Sequence, residues 1–246
     1  MGARGSMACD PGLISFDNGA ALAERLADVI ALYLNVAILE DGAAALAVSG
    51  GSTPAPLYNA LSQRKLDWSR VTVVLVDERW VAPGAEGSNE SFIRATLIRN
   101  RAAQANVIGL WSDQPSPADG LSQGEARLNA VERPFDAVVL GMGTDGHTAS
   151  WFPRAQGLEA ALDQSGARLA ALKARPSAVV GAYGARMTLT LSAIRQARFI
   201  SLLVTGDEKR AVFDEARGEG SVEEMPVRAI LRARPDLWVC WAPKGE

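Results

Sequence analysis

The sequence predicts an α/β fold built on a mainly parallel sheet with helices on both faces. Three observations carry this prediction. Short β-type runs recur along the chain, and several are apolar throughout, as strands covered on both faces are. Helix-length stretches alternate with them, which is the pattern of a Rossmann-like arrangement. No internal repeat or linker divides the 246 residues. Residues 13–246 are therefore expected to form one α/β domain after a flexible N-terminus over 1–12, in part compatible with an expression scar.

The elements follow in order. Residues 19–40 place Leu22, Leu26, Val29, Ile30, Tyr33, Val36 and Ala37 at helical spacing, one apolar stripe of a long amphipathic helix. Strands are expected over 44–48, 71–76, 106–109, 135–140, 187–191, 199–204 and 237–241. Helices are expected over 54–64, 88–99, 118–131 and 207–217, with Ser88 or Asn89 capping the second and Asp207 the last. Residues 156–184 are less regular, and "QPSPADG" at 114–120 reads as a loop.

Composition narrows the function classes. A net charge of −3 argues against a general nucleic-acid binder, so an anionic substrate needs a local cationic site. The apolar runs fall short of the roughly 20 residues of a membrane helix, and the N-terminus lacks a signal peptide's apolar stretch. Cys9 and Cys240 are the two cysteines and stand near opposite ends, so neither a disulfide framework nor a thiolate metal site is expected. The expected setting is cytoplasmic, with a small-molecule substrate and no metal, nucleic-acid or membrane partner. A monomer is expected rather than an oligomer.

In open α/β sheets, ligands gather at the carboxyl ends of the strands. Four polar stretches fall there: "SGGSTP", "VDERW", "GMGTDGH" and "TGDEK". In the first, Gly50 and Gly51 permit a tight turn that exposes backbone amides, and Ser52 and Thr53 add hydroxyls, all beside a helix start. Such a turn suits a phosphate, although a structural turn with a Ser/Thr cap has the same letters, and a Walker lysine is missing. In the second, Asp77, Glu78 and Arg79 are consecutive, so at most two can face one site. Arg79 offers a planar fork for phosphate or carboxylate, and Asp77 an acceptor for a sugar hydroxyl or a partner; a solvated strand-end ion pair is the alternative. Lys209 stands in the first turns of a helix, where a cation opposes the dipole unless an anion is held there. Arg186 is a further candidate cation.

Residues 141–146, "GMGTDG", satisfy the dinucleotide pattern G-x-G-x-x-G after a strand. Pro153 limits any helix from this turn, Asp163 does not end a strand, and the turn comes late in the chain, so the dinucleotide reading is weak. His147, the single histidine, follows the turn, with Asp145 two residues upstream to orient its ring or bind substrate. An imidazole with an unperturbed pKa near 6.5 suits general-base work at neutral pH. No G-x-S-x-G elbow and no second histidine accompany it.

These segments, with "SNE" at 88–90, "GMGTDGHTASWFP" at 141–153, "ARMTLTLSAI" and "TGDEKR", resemble the 6-phosphogluconolactonases, in that family's order and across residues 15–240. The resemblance implies the fold of the sugar-phosphate isomerase/deaminase type and hydrolysis of 6-phospho-D-glucono-1,5-lactone to 6-phosphogluconate without metal or organic cofactor. It implies that His147 is the general base and that Asp145 supports it. It further implies that Arg79, Arg186 and Lys209 supply charge for the phosphate, together with Gly50, Gly51, Ser52 and Thr53, while Asp77, Asn89 and Gly143 complete the substrate site. The related deaminases are similar but carry an asparagine–glutamate–proline ending on the histidine block and tyrosine after the aspartate–glutamate pair. This chain has Trp151 and Phe152 before Pro153, and Arg79 after Glu78. The stretch 110–134 matches the lactonases only loosely.

Overall fold

The structure is a computed structural model that describes residues 12–131, 133–164 and 166–245. The expected flexible N-terminus falls, but for Gly12, outside the described residues, as does Cys9. In chain order the elements are β1 (Leu13–Ser15), α1 (Gly19–Asp41), β2 (Ala44–Val48), α2 (Ala55–Leu61), β3 (Val71–Leu75), β4 (Asp77–Arg79), α3 (Asn89–Thr96), β5 (Asn106–Ile108), α4 (Leu121–Leu128) and β6 (Ala137–Gly141). There follow α5 (Leu158–Leu162), β7 (Leu169–Lys173), β8 (Ala185–Leu189), α6 (Leu191–Arg195), β9 (Phe199–Thr205), α7 (Asp207–Ala216), α8 (Val227–Ala233) and β10 (Trp238–Ala242).

Seven strands form one sheet in the order β1-β10-β9-β6-β2-β3-β5, and every pairing in it is parallel. Every residue of β2 is buried, which explains its unbroken "AALAV" run: both of its faces are covered. From β2 the chain builds outward through β3 to β5, and from β6 outward through β9 to β10. The order therefore reverses between β2 and β6, which pair as Leu46↔Ala137 and Val48↔Val139. Such a reversal parts the loops above the two strand ends and opens a crevice there.

The long first helix forms as its caps dictate. Asn18 Oδ1 accepts from the Ala21 amide, and Gly42 closes the far end at φ 80°, its N–H donating to Ile38 O. Its buried face runs through Ile30, Leu34, Ala37 and Ile38. Val36, expected on that face, is exposed because helical spacing rotates it away toward Leu32 and Leu39.

A second, antiparallel sheet in the order β4-β8-β7 was not expected. The segment "DER" does not trail from the end of β3; it forms β4, paired as Asp77↔Thr188 and Arg79↔Arg186. The crossing takes one residue: Val76 N–H donates to Val48 O in the large sheet, and Val76 O accepts from the Leu189 amide in the small one. The strand expected over 187–191 ends at Leu189 because Thr190 turns out of it to cap α6, its side chain accepting from the Ala193 amide. Ser88 caps α3 by accepting from Ser91 N, whereas Asp207 is the first residue of α7 and not its cap.

No helix among the described residues is long and apolar enough to cross a membrane.

Candidate active site

Where the strand order reverses lies a cavity of about 330 Å³. Of the twelve residues singled out in the sequence, eleven line it, and Asp145 touches it through His147. A larger groove of about 970 Å³, along Arg154, Leu158 and Val222, contains none of them.

The turn after β2 supplies one wall. Ser49 locks β2 to β6, its amide and hydroxyl both donating to Val139 O. Gly50 is required by close approach, because a Cβ there would lie 2.0 Å from Asn89 Oδ1. Gly51 takes φ 93°, which L-residues rarely adopt. Among the described residues, the backbone N–H groups of residues 50–53 have no partner within the chain. They leave a row of free donors beside the start of α2.

Strand alternation sorts the consecutive charges of β4. Asp77 and Arg79 line the cavity, while Glu78 points away and is fully buried. Its carboxylate accepts from the amides of Arg79 (2.8 Å), Asn89 (2.7 Å) and Glu90 (2.8 Å), pinning the start of α3 to β4. Asn89 in turn donates through Nδ2 to Asp77 O at 2.9 Å, so its amide braces the loop that Gly50 belongs to. Burial pushes the Glu78 carboxyl up to about 7, against the three amides, which favour the charged form. With the folded pKa above the ordinary 4.5, the stabilising contribution is complete below 4.5 and is lost as pH rises through 7. Relative to Glu78→Gln, whose side chain does not titrate, the unfolding free energy of the native chain is expected to fall by about 3 kcal/mol from pH 4.5 to pH 8. Denaturant melts across that range would contradict this if the difference stayed flat.

Two arginines face the cavity from adjacent positions of β4 and β8. Arg79 donates to Gly87 O at 2.5 Å, and its buried Nε has no hydrogen-bond partner. Arg186 is 3% exposed, donates from Nε to Tyr183 O at 2.6 Å and from Nη2 to Val180 O at 3.2 Å, and stands 3.9 Å from Asp77. Burial pulls its pKa down to about 10, with Asp77 opposing and Arg79 assisting the shift, so it stays cationic near neutrality. Lys209 enters from the first turn of α7. Its pKa is also lowered by burial, partly offset by Glu208 and Asp145.

The third wall is the loop after β6. No helix follows the glycine turn until α5 at Leu158, so the dinucleotide arrangement is absent from this loop. A tight turn forms instead: Gly143 N–H donates to His147 O at 2.9 Å, and Gly146 adopts φ 75°. This turn brings His147 Nδ1 to 2.5 Å from Asp145 Oδ1. Burial alone would raise the Asp145 pKa, but the hydrogen bond and charge of His147 outweigh it, and the carboxylate titrates below its ordinary range. Nε2 of His147 has no hydrogen-bond partner among the described residues. Beyond it, Ser150 donates to Asp77 Oδ2 at 2.5 Å. Ser150 was not foreseen, since its partner is 73 residues away and no local pattern announces the contact. No group of three or more His, Cys, Asp or Glu side chains among the described residues is placed to hold a metal ion.

Residues 17–241 match the family model described as "Glucosamine-6-phosphate isomerases/6-phosphogluconolactonase". The chain belongs to this family. It is 42% identical to the 6-phosphogluconolactonase of Rhizobium meliloti (strain 1021) over 230 residues, 93% of this chain and 97% of the relative. Among solved structures of the family, the crystal structure of a 6-phosphogluconolactonase from Shewanella baltica OS155 superposes with a TM-score of 0.89 at 41% identity, covering 95% of this chain and 98% of that one. A monomeric glucosamine-6-phosphate deaminase, at 17% identity, shares the fold with a TM-score of 0.73 over 94% of this chain and 96% of its own. That likeness is one of fold.

Proposed function

We propose that this chain hydrolyses 6-phospho-D-glucono-1,5-lactone to 6-phospho-D-gluconate, the lactonase step of the oxidative pentose phosphate pathway, with His147 as the general base. The convergence of a hydrogen-bonded His147–Asp145 pair with Arg79, Arg186, Lys209 and the free amides of residues 50–53 in one cavity carries this reading. The first part can move a proton, and the second can hold a dianion in a protein of net charge −3.

The step follows from those roles. The phosphate, held by the cations and amides, places the lactone C1 carbonyl beside a water on Nε2. As the water oxygen attacks C1, Nε2 takes its proton, and Asp145 stabilises the imidazolium through Nδ1–H. The tetrahedral intermediate collapses, the C1–ring-oxygen bond breaks, and the departing oxygen takes the proton back from His147. A carboxylic acid and a free hydroxyl remain, so atoms and charge balance. A lactone is an activated ester, and one base with good positioning suffices for it.

Arg79→Ala and Lys209→Ala are each expected to weaken binding of 6-phosphogluconate by about 10- to 100-fold, the weight of a charge-assisted hydrogen bond, with a smaller change in kcat. Calorimetric titration measures this, and undiminished affinity in both variants would remove the cationic anchor. The function itself is tested by generating the lactone with glucose-6-phosphate dehydrogenase and following its loss, corrected for spontaneous hydrolysis. Ammonia release from glucosamine 6-phosphate without lactone turnover would overturn the proposal in favour of a deaminase.

A further inference from the structure

We propose that Phe152 is a positioning residue for hydrolysis, whose ring braces the His147 imidazole from one side and ties it to the Arg186 guanidinium. The inference rests on His147 acting as the base. Its starting point is a limit of the Asp145 contact. One hydrogen bond to Nδ1 fixes a point on the imidazole but leaves the ring free to swing about it, and Nε2 would sweep an arc across the cavity.

Two contacts remove that freedom. The Phe152 ring lies 4.3 Å from the imidazole, centroid to centroid, at an interplanar angle of 30°. Gly143 packs so closely on the imidazole that an added Cβ would stand 2.2 Å from its Nδ1 and Cε1. Phe152 is itself held firmly: it is 4% exposed, its amide donates to Ser150 O at 3.0 Å, and its carbonyl accepts from the Ala155 amide. Ser150 is in turn bonded to Asp77, so the brace is anchored in the small sheet.

The same ring carries a second load. Arg186 Cζ stands 5.1 Å from the Phe152 centroid, a cation–π distance. The guanidinium spends two of its nitrogens on the carbonyls of Val180 and Tyr183, and the ring supports it from another side. One aromatic ring thus sets the separation between the base and a phosphate-facing cation. That separation is what aligns a carbonyl with the water on Nε2 once the phosphate is seated.

The test compares Phe152→Leu and Phe152→Met, which keep an apolar filling without a planar face, with Phe152→Tyr, which keeps the ring. Both aliphatic variants are expected to lower kcat by about 10- to 100-fold with KM within about threefold, while Phe152→Tyr stays within about threefold of the native kcat. Two aliphatic variants are used so that a failure of one to fold leaves the other to decide. Because His147 is the only histidine, the imidazole Cε1–H resonance of the untagged protein reports this ring alone. It is expected to move in the aliphatic variants as the ring current of Phe152 is lost, and to stay near its native position in Phe152→Tyr. A folded aliphatic variant with native kcat, or an unmoved resonance, overturns the brace. His147→Ala assayed alongside separates the two claims. If it retains turnover, the reading of His147 as base fails; if it is inactive while Phe152→Leu is fully active, the brace alone fails.

Discussion

His147→Ala is expected to lower kcat for the phosphorylated lactone by about 10²–10⁴-fold, the usual contribution of a positioned general base. Affinity for 6-phosphogluconate should change by no more than a few-fold, because the phosphate is assigned to Arg79, Arg186, Lys209 and the loop amides. The geometry supports a selective loss. His147 is the single histidine, its Nδ1 is committed to Asp145, and its Nε2 is left to the cavity. Removing the ring strips Asp145 of its partner, but that carboxylate is 27% exposed and can be solvated, so the fold should survive. The lactone-loss assay measures turnover and calorimetry the affinity. Near-native kcat would take His147 out of the mechanism, and a parallel collapse of binding would mean that the substitution damaged the whole site.

Gly143→Ala is expected to cost on the order of 10² in kcat while leaving the melting temperature close to native. A Cβ at this position would lie 2.2 Å from the His147 ring and 2.6 Å from Asp145 Oδ1. Neither approach is tolerable, so something must move. The atoms met are side-chain ends rather than backbone, and Gly143 is not among the glycines with positive φ, so the relief is cheap for the fold. It is costly for the chemistry, because the imidazole can escape only by breaking its alignment with Asp145, and a displacement of about 1 Å is worth about 10²-fold in rate. A thermal melt and steady-state kinetics on the same preparation check both halves. Native turnover would show that the ring has room the structure does not give it.

Gly143 also stands in a pattern that two different turns share. G-x-G-x-x-G is shared by a dinucleotide turn and by this loop because both need glycine for close approach. In the first case the approaching group is a pyrophosphate; here it is the chain's own imidazole. Pro153 was the local signal that separated the two, and the absence of a helix before α5 agrees with it. Strand alternation in "DER" was equally legible: two of the three residues face the cavity and Glu78 does not. The small antiparallel sheet was not legible. Its first strand is three residues long, too short to carry a period, and exists because Arg79 meets Arg186 and Asp77 meets Thr188 from a distant segment.

Local patterns in the chain were enough for the parallel α/β layout, the strand-end stretches that hold the candidate site and eleven of the residues lining it. Apolar runs and glycine turns are local properties, and residues at neighbouring strand ends converge whatever the loops do. Only the tertiary structure decided how those residues serve one another. Ser150 bonds Asp77, Glu78 anchors the start of α3 to β4, and Phe152 packs against both His147 and Arg186. Such contacts depend on distances between segments far apart in the chain, which are set by how the two sheets pack and not by any pattern along it.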